Sequence, residues 1–258
     1  MPSVLFEIKN GVGLIILNRP EKLNSFNREM ALLLQEKLDT CEIDSNVRCV
    51  HITGAGKGFS AGQDLAEVAD PNGPSMQQIL SEHYNPVISR IRKIPKPFVA
   101  AVNGVAAGAG ANIALCCDIV VAAQSASFIQ AFSKIGLIPD SGGTFFLPRL
   151  IGFQKASALA MLGDKLTATE AEQAGLIYKT YPDKEFADSA EKLAYQLAQM
   201  PTKGLGLIKN ALNASLSNNL EEQLKLEDQL QQEAARTHDY KEGVKAFLEK
   251  RPPIFKGE

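Results

Sequence analysis

A layered α/β fold is predicted by three observations. Short apolar segments ending in glycine recur through residues 1–200, segments with helical spacing alternate with them, and from Pro201 onward the helical pattern stands alone. Val4–Ile8 and Gly13–Pro20 read as two strands joined by a turn at Asn10-Gly11. Asn27 can then cap a helix whose apolar positions Met30, Leu33, Leu34 and Leu38 fall on one face. The stretches "VRCVHITGAG" and "PFVAAVNG" are apolar runs closed by glycine, as strands buried in a parallel sheet are. "DIVVAA" and "ASFIQAF" continue the series. At Thr167 the residues "TATE" form a capping box, opening a helix that ends at Gly175 before the strand-like "LIYKTY".

After Pro201 the spacing of Leu207, Ile208, Leu212 and Leu216, and then of Leu220, Leu224, Leu226 and Leu230, predicts amphipathic helices with polar faces rich in Glu, Gln and Lys. The expected organisation is a core over residues 1–200 and a helical region over 201–258 that serves interaction or oligomerisation. At 258 residues the chain is long enough for a large core, and 45% hydrophobic and 22% charged residues describe an ordinary globular protein. A net charge of -2 offers no electrostatic basis for holding nucleic acid. Cys41, Cys49, Cys116 and Cys117 lack C-x-x-C spacing and lie in or beside apolar segments, which predicts small buried hydrophobes in a reducing compartment. The opening "MPSVLFEIKN" has no basic-then-apolar pattern and no apolar run approaches the length of a membrane span. The expected location is therefore the cytoplasm, with no membrane partner.

Most chemical motifs fail on spacing. "GAGKGFSAG" lacks the G-x-x-x-x-G-K-[ST] pattern of a phosphate-wrapping loop, and "GAGANI" puts Ile113 where a dinucleotide fingerprint needs a small residue. His51, His83 and His238 are far apart and show no metal-ligand spacing, so no metal is expected. Two strand-glycine-helix junctions survive, "GFSAGQDL" at Gly58–Leu65 and "NGVAAGAGANIAL" at Asn103–Leu115. Their small side chains bare backbone N–H groups. They are either tight turns or, if two amides converge on one point, an oxyanion hole. A single acid, Asp140, stands in "KIGLIPDSGGTFFLPRL" between two apolar runs. It either caps a helix starting near Gly142 or works as an acid/base.

Taken in order, "LNRPEKLNSFN", "GFSAGQDL", "PKPFVAAVNGVAAGAGANIAL" and "IGLIPDSGGT" resemble the crotonase, or enoyl-CoA hydratase/isomerase, superfamily over nearly the whole chain. The resemblance implies a spiral of β-β-α units with a C-terminal helical region, assembled as a homotrimer or homohexamer. It implies an acyl-CoA thioester as substrate, coenzyme A being part of that substrate rather than a separate cofactor. It implies oxyanion-hole amides at Ala61 and Ala109, and it sets Lys22, Leu23, Gln63, Asp64 and Leu65 beside the coenzyme A arm. The tail of relatives reaches the nucleotide in a neighbouring subunit, which implies that place for Phe255 and Lys256. A solvated surface lysine is the competing reading for Lys22 and Lys256.

One departure bears on the reaction. The two glutamates with which hydratases of the family hold water are replaced by Asn112 and Phe132, neither of which can transfer a proton. Both positions are expected to border substrate, and Asp140 remains as the acid/base. An isomerase is the economical expectation, because one carboxylate can remove a proton from one carbon and return it to another. A different enzyme of the family, such as a hydratase or thioester hydrolase, and a non-catalytic CoA-binding scaffold are the alternatives.

Overall fold

The computed structural model describes residues Met1–Glu258. Asn10 and Gly11, both at positive φ, turn β1 (Val4–Lys9) back onto β2 (Val12–Leu17) as an antiparallel pair. Asn27 caps α1 (Arg28–Ile43), its side-chain oxygen accepting the Met30 amide at 3.0 Å, and the helix buries Met30, Leu34, Leu38 and Cys41. The chain then runs through β3 (Cys49–Gly54), β4 (Gly58–Ser60), α2 (Leu65–Ala69) and α3 (Met76–Gln78). A π turn over Ile79–Tyr84 leads into α4 (Asn85–Lys93).

The next strands come in pairs: β5 (Phe98–Val102) and β6 (Val105–Ala107), α5 (Ala109–Leu115), then β7 (Ile119–Ala123) and β8 (Ser127–Ile129). The strand pairs β3/β4, β5/β6 and β7/β8 each lay one strand in a large sheet and one in a small sheet, and this repetition builds the spiral. A 3₁₀ turn over Ala131–Ile135 leads to α6 (Gly143–Ile151) and α7 (Phe153–Leu162). There follow β9 (Lys165–Thr167), α8 (Ala168–Gln173), β10 (Lys179–Tyr181) and α9 (Asp183–Ala198).

The large sheet has the order β1-β2-β3-β5-β7-β10, and the small one β4-β6-β8-β9. Every residue of β5 is buried, because helices cover both faces of a largely parallel sheet. The Thr167–Glu170 capping box forms as expected. Two of the expected strands are shorter than their apolar runs. The Leu176 amide closes the end of α8 on the Ala171 carbonyl, so only Lys179–Tyr181 reaches the sheet, and Ala131–Ile135 winds into the 3₁₀ turn.

Beyond Pro201 lie α10 (Thr202–Ser215), α11 (Leu220–Ala235) and α12 (His238–Glu249). Lys209 of α10 is buried against the core, donating to the Ile91 carbonyl at 2.6 Å and pairing with Asp118 at 2.9 Å. Elsewhere on α10 and α11, Ile208, Leu212, Leu220 and Leu224 are exposed. All four cysteines are buried free thiols, and no helix is long and apolar enough to cross a membrane.

Candidate active site

The two glycine junctions pack directly on each other. A Cβ on Gly110 would sit 2.6 Å from Ser60 Oγ, and one on Gly62 would sit 2.8 Å from the Ala107 carbonyl and 3.4 Å from the Ala109 nitrogen. Gly62 is also at positive φ. Glycine is therefore required at 62 both for its backbone conformation and for this close approach. The consequence is a cavity of about 510 Å³ lined by Ala61, Gln63, Leu65, Gly108, Ala109, Phe132 and Asp140 among others.

Which amides are free follows from the hydrogen bonds of the first junction. The Ala61 N–H donates to the Leu23 carbonyl at 2.9 Å, so it cannot serve an incoming oxygen, and the assignment of Ala61 as an oxyanion donor is corrected. Two residues on, Gln63 bridges to Phe26 in parallel register: Phe26 N–H donates to the Gly62 carbonyl at 2.6 Å and Asp64 N–H donates to the Phe26 carbonyl at 2.8 Å. In such a bridge the flanking groups face the partner and the central residue's own N–H faces away. The Gln63 N–H accordingly has no acceptor in the chain, and neither has the Ala109 N–H at the start of α5. These two amides, on contacting turns at one cavity, are the pair an oxyanion hole requires.

Asp140 lines the same cavity. Its backbone is held twice, the carbonyl accepting from Gly143 N–H at 2.8 Å and from Asn112 Nδ2 at 2.9 Å. The carboxylate caps no helix. α6 begins after Gly142 without a side-chain cap, and the carboxylate accepts only from the Ser141 hydroxyl, at 2.8 Å. Ser141 and Gly142 both adopt positive φ, a costly conformation for Ser141 that turns the chain sharply after the acid. Burial pushes the Asp140 carboxyl above the ordinary carboxylate range, with the Ser141 hydrogen bond opposing it. Leu137, Ile135 and the Phe132 ring supply the apolar surroundings.

The remaining expected residues divide. Phe132 and Leu65 line the cavity. Asn112 does not: it is fully buried, accepting from Gln130 Nε2 at 2.8 Å while it holds the Asp140 carbonyl, so its expected contact with substrate is corrected to a structural tether. Asp64 is also spent within the fold, paired with Arg19 at 2.8 Å and accepting the Ala66 amide at the start of α2. Lys22 and Leu23 lie on the 3₁₀ turn Pro20–Lys22 and its left-handed cap, outside the cavity lining. Phe255 borders a separate groove with Tyr240, Val244 and Phe247, and the Lys256 and Gly257 amides both donate to the buried Asp239 carboxylate. The cavity of this chain does not include that tail. Tyr84 escaped the sequence reading. It lines the cavity, is buried, and donates to Gln63 Oε1 at 2.7 Å. No motif points to it, because a tyrosine on an amphipathic helix ordinarily reads as core.

A β-β-α spiral with two unpaired amides and one half-buried acid at a single cavity points to a family, and the chain belongs to it: residues 7–258 match the enoyl-CoA hydratase/isomerase family. It is thus a crotonase-family enzyme acting on CoA thioesters. It is 51% identical to the 1,2-epoxyphenylacetyl-CoA isomerase of Escherichia coli K12 over the full length of both chains. It is 35% identical to the 2,3-dehydroadipyl-CoA hydratase of the same organism, again over all of both chains. Among solved structures it superposes on an enoyl-CoA hydratase from Bacillus anthracis with a TM-score of 0.92, at 33% identity, covering 99% of this chain and all of the other.

Proposed function

We propose that the protein is an acyl-CoA isomerase, and that Asp140 carries the proton. The observation behind this reading is that Asp140 is the one carboxylate lining a cavity that is also lined by Gln63 and Ala109, whose amides have no acceptor in the chain. The thioester oxygen sits between those amides. As Asp140 takes a proton from carbon, the electron pair delocalises onto that oxygen as an enolate, and each oriented donor contributes about 3 kcal/mol to its stabilisation. The protonated Asp140 then returns the proton to a different carbon. Nothing else is consumed, so no separate cofactor takes part.

Hydration by two carboxylates is disfavoured because Asn112 and Phe132 occupy the places of both hydratase glutamates. Full-length identity of 51% to a 1,2-epoxyphenylacetyl-CoA isomerase favours the aryl epoxide thioester as substrate and its oxepin isomer as product, with double-bond shift in unsaturated acyl-CoA as the related activity. Incubation with ring-1,2-epoxyphenylacetyl-CoA, a β,γ-enoyl-CoA and crotonyl-CoA tests this. Turnover of the first or second is expected; water addition to crotonyl-CoA as the fastest reaction would overturn the isomerase reading. The exposed apolar residues of α10 and α11 support assembly into a trimer or hexamer, which sedimentation would reveal.

A further inference from the structure

The π turn over Ile79–Tyr84 joins α3 to α4. A π turn takes up one more residue than an α turn and re-aims the side chains at its end, and such turns concentrate at functional sites. The last residue of this one is Tyr84, 1% exposed, whose ring meets Phe26 edge-on with centroids 5.9 Å apart. Phe26 is the residue whose backbone brackets Gln63 through two hydrogen bonds. The Tyr84 hydroxyl reaches the same residue by a second route, donating to Gln63 Oε1 at 2.7 Å. The other end of that side chain is held too: Gln63 Nε2 donates to Glu67 Oε2 at 2.9 Å, and Glu67 Oε1 accepts the Arg28 amide at 2.9 Å. A buried phenol needs an acceptor, but any carbonyl would serve. Here the acceptor belongs to the residue whose N–H is left free at the cavity.

We infer that Tyr84 is a positioning residue for the oxyanion contact: ring and hydroxyl together hold the Gln63 peptide so that its N–H stays aimed at the thioester oxygen. This rests on the proposed reading of Gln63 and Ala109 as the two donors. Burial, helped by the nearby Asp140 charge, pushes the phenol well above its ordinary pKa, so the hydroxyl remains a donor throughout the working range. A brace of this kind touches no reacting atom. Its loss loosens an interaction that strengthens in the transition state, and so weighs on kcat more than on KM.

The test is Tyr84→Phe, which keeps the ring against Phe26 and removes one hydrogen bond. With the favoured isomerisation substrate, kcat should fall about tenfold while KM stays within about twofold. Isotope-edited infrared spectra of a bound saturated acyl-CoA, which cannot isomerise, report the carbonyl directly. The thioester band should move down in frequency on binding wild type, and part of the way back in Tyr84→Phe. Gln63→Leu keeps the peptide N–H but removes the hydroxyl's acceptor, so it should reproduce both changes, and the double variant should add nothing further. A wild-type band position in Tyr84→Phe, or losses that multiply in the double variant, would overturn the inference. No band shift in wild type itself would instead remove the oxyanion pair on which it depends.

Discussion

Asp140 lines the cavity while Asp64 sits between two residues that do, Gln63 and Leu65, and their chemistry diverges because one is satisfied and the other is not. Asp64 is paired with Arg19 and caps α2; burial alone would raise its carboxyl, but these hydrogen bonds and charges outweigh it and hold the pKa low. Asp140 has a single hydroxyl partner, apolar neighbours and a raised pKa. The amides repeat the contrast: that of Ala61 is consumed by Leu23, while those of Gln63 and Ala109 have no partner. The proposed reactive groups are those the fold leaves unsatisfied, next to near-identical groups it has used.

The most severe test of that contrast is Asp140→Asn. Asparagine keeps the size and the backbone anchors but cannot accept a catalytic proton, so isomerisation should fall by on the order of 10² to 10⁴ with acyl-CoA affinity little changed. Exchange of the substrate proton in deuterated water should disappear with it. Near-normal turnover would return Asp140 to the same class as Asp64. Next is a pair of proline substitutions. Ala109→Pro removes an unpaired N–H at the first position of a helix, where proline is tolerated, and should lower turnover by on the order of 10² while thermal stability holds. Ala61→Pro removes an N–H that the fold uses, and should show its loss first as a lower Tm. Reversal of the two phenotypes would restore Ala61 to the oxyanion pair.

The smallest effects concern stability and pH. Asp64, with its depressed pKa, contributes stability above its unfolded pKa of about 3.9 and loses it as pH falls through the folded value. Asp140, with its raised pKa, costs stability once ionised, so the cost sets in as pH rises past the unfolded value and is complete above the folded one. In urea melts at neutral pH, Asp64→Asn, which loses a charged partner and a helix cap, should therefore lower stability by about 1–2 kcal/mol, and Asp140→Asn should raise it. The second gain should vanish in acid. In the same sense, wild-type kcat/KM should decline as pH drops through the raised Asp140 pKa, because the base is then protonated. A flat acid limb would assign the proton to another group.

The first hairpin, the Asn27 cap and the Thr167 capping box could be read from the sequence because each is local: periodicity, cap and turn lie within a few residues of one another. The Asp140 loop was marked for a similar reason, by an acid between apolar runs. What could not be read was which amide of "SAGQ" remains free, since this depends on Leu23 and Phe26, far along the chain, pairing with alternate residues of the turn. Asn112 misled for the same reason. It occupies the place of a family glutamate, but its partners Gln130 and Asp140 arrive only when α5, the 3₁₀ turn and the loop before α6 come together. Lys209 likewise reads as part of a polar helix face and proves to be a buried anchor against Asp118. Tyr84 was hidden because a buried tyrosine reads as core, and its partner Gln63 comes from a distant turn.

The π turn over Ile79–Tyr84 also bears on how the cavity wall can change. A π turn absorbs one inserted residue locally, so the buried Val87 and Ile91 of α4 keep their seats against the core while only the side chains at the turn are redirected. Removing one residue from Ile79–Tyr84, so that the π turn closes to an α turn, is therefore expected to shift the Tyr84 hydroxyl relative to Gln63. The wall beside Gln63 thus hangs on a turn of one extra residue, whereas Asp140 and Ala109 are carried by other elements.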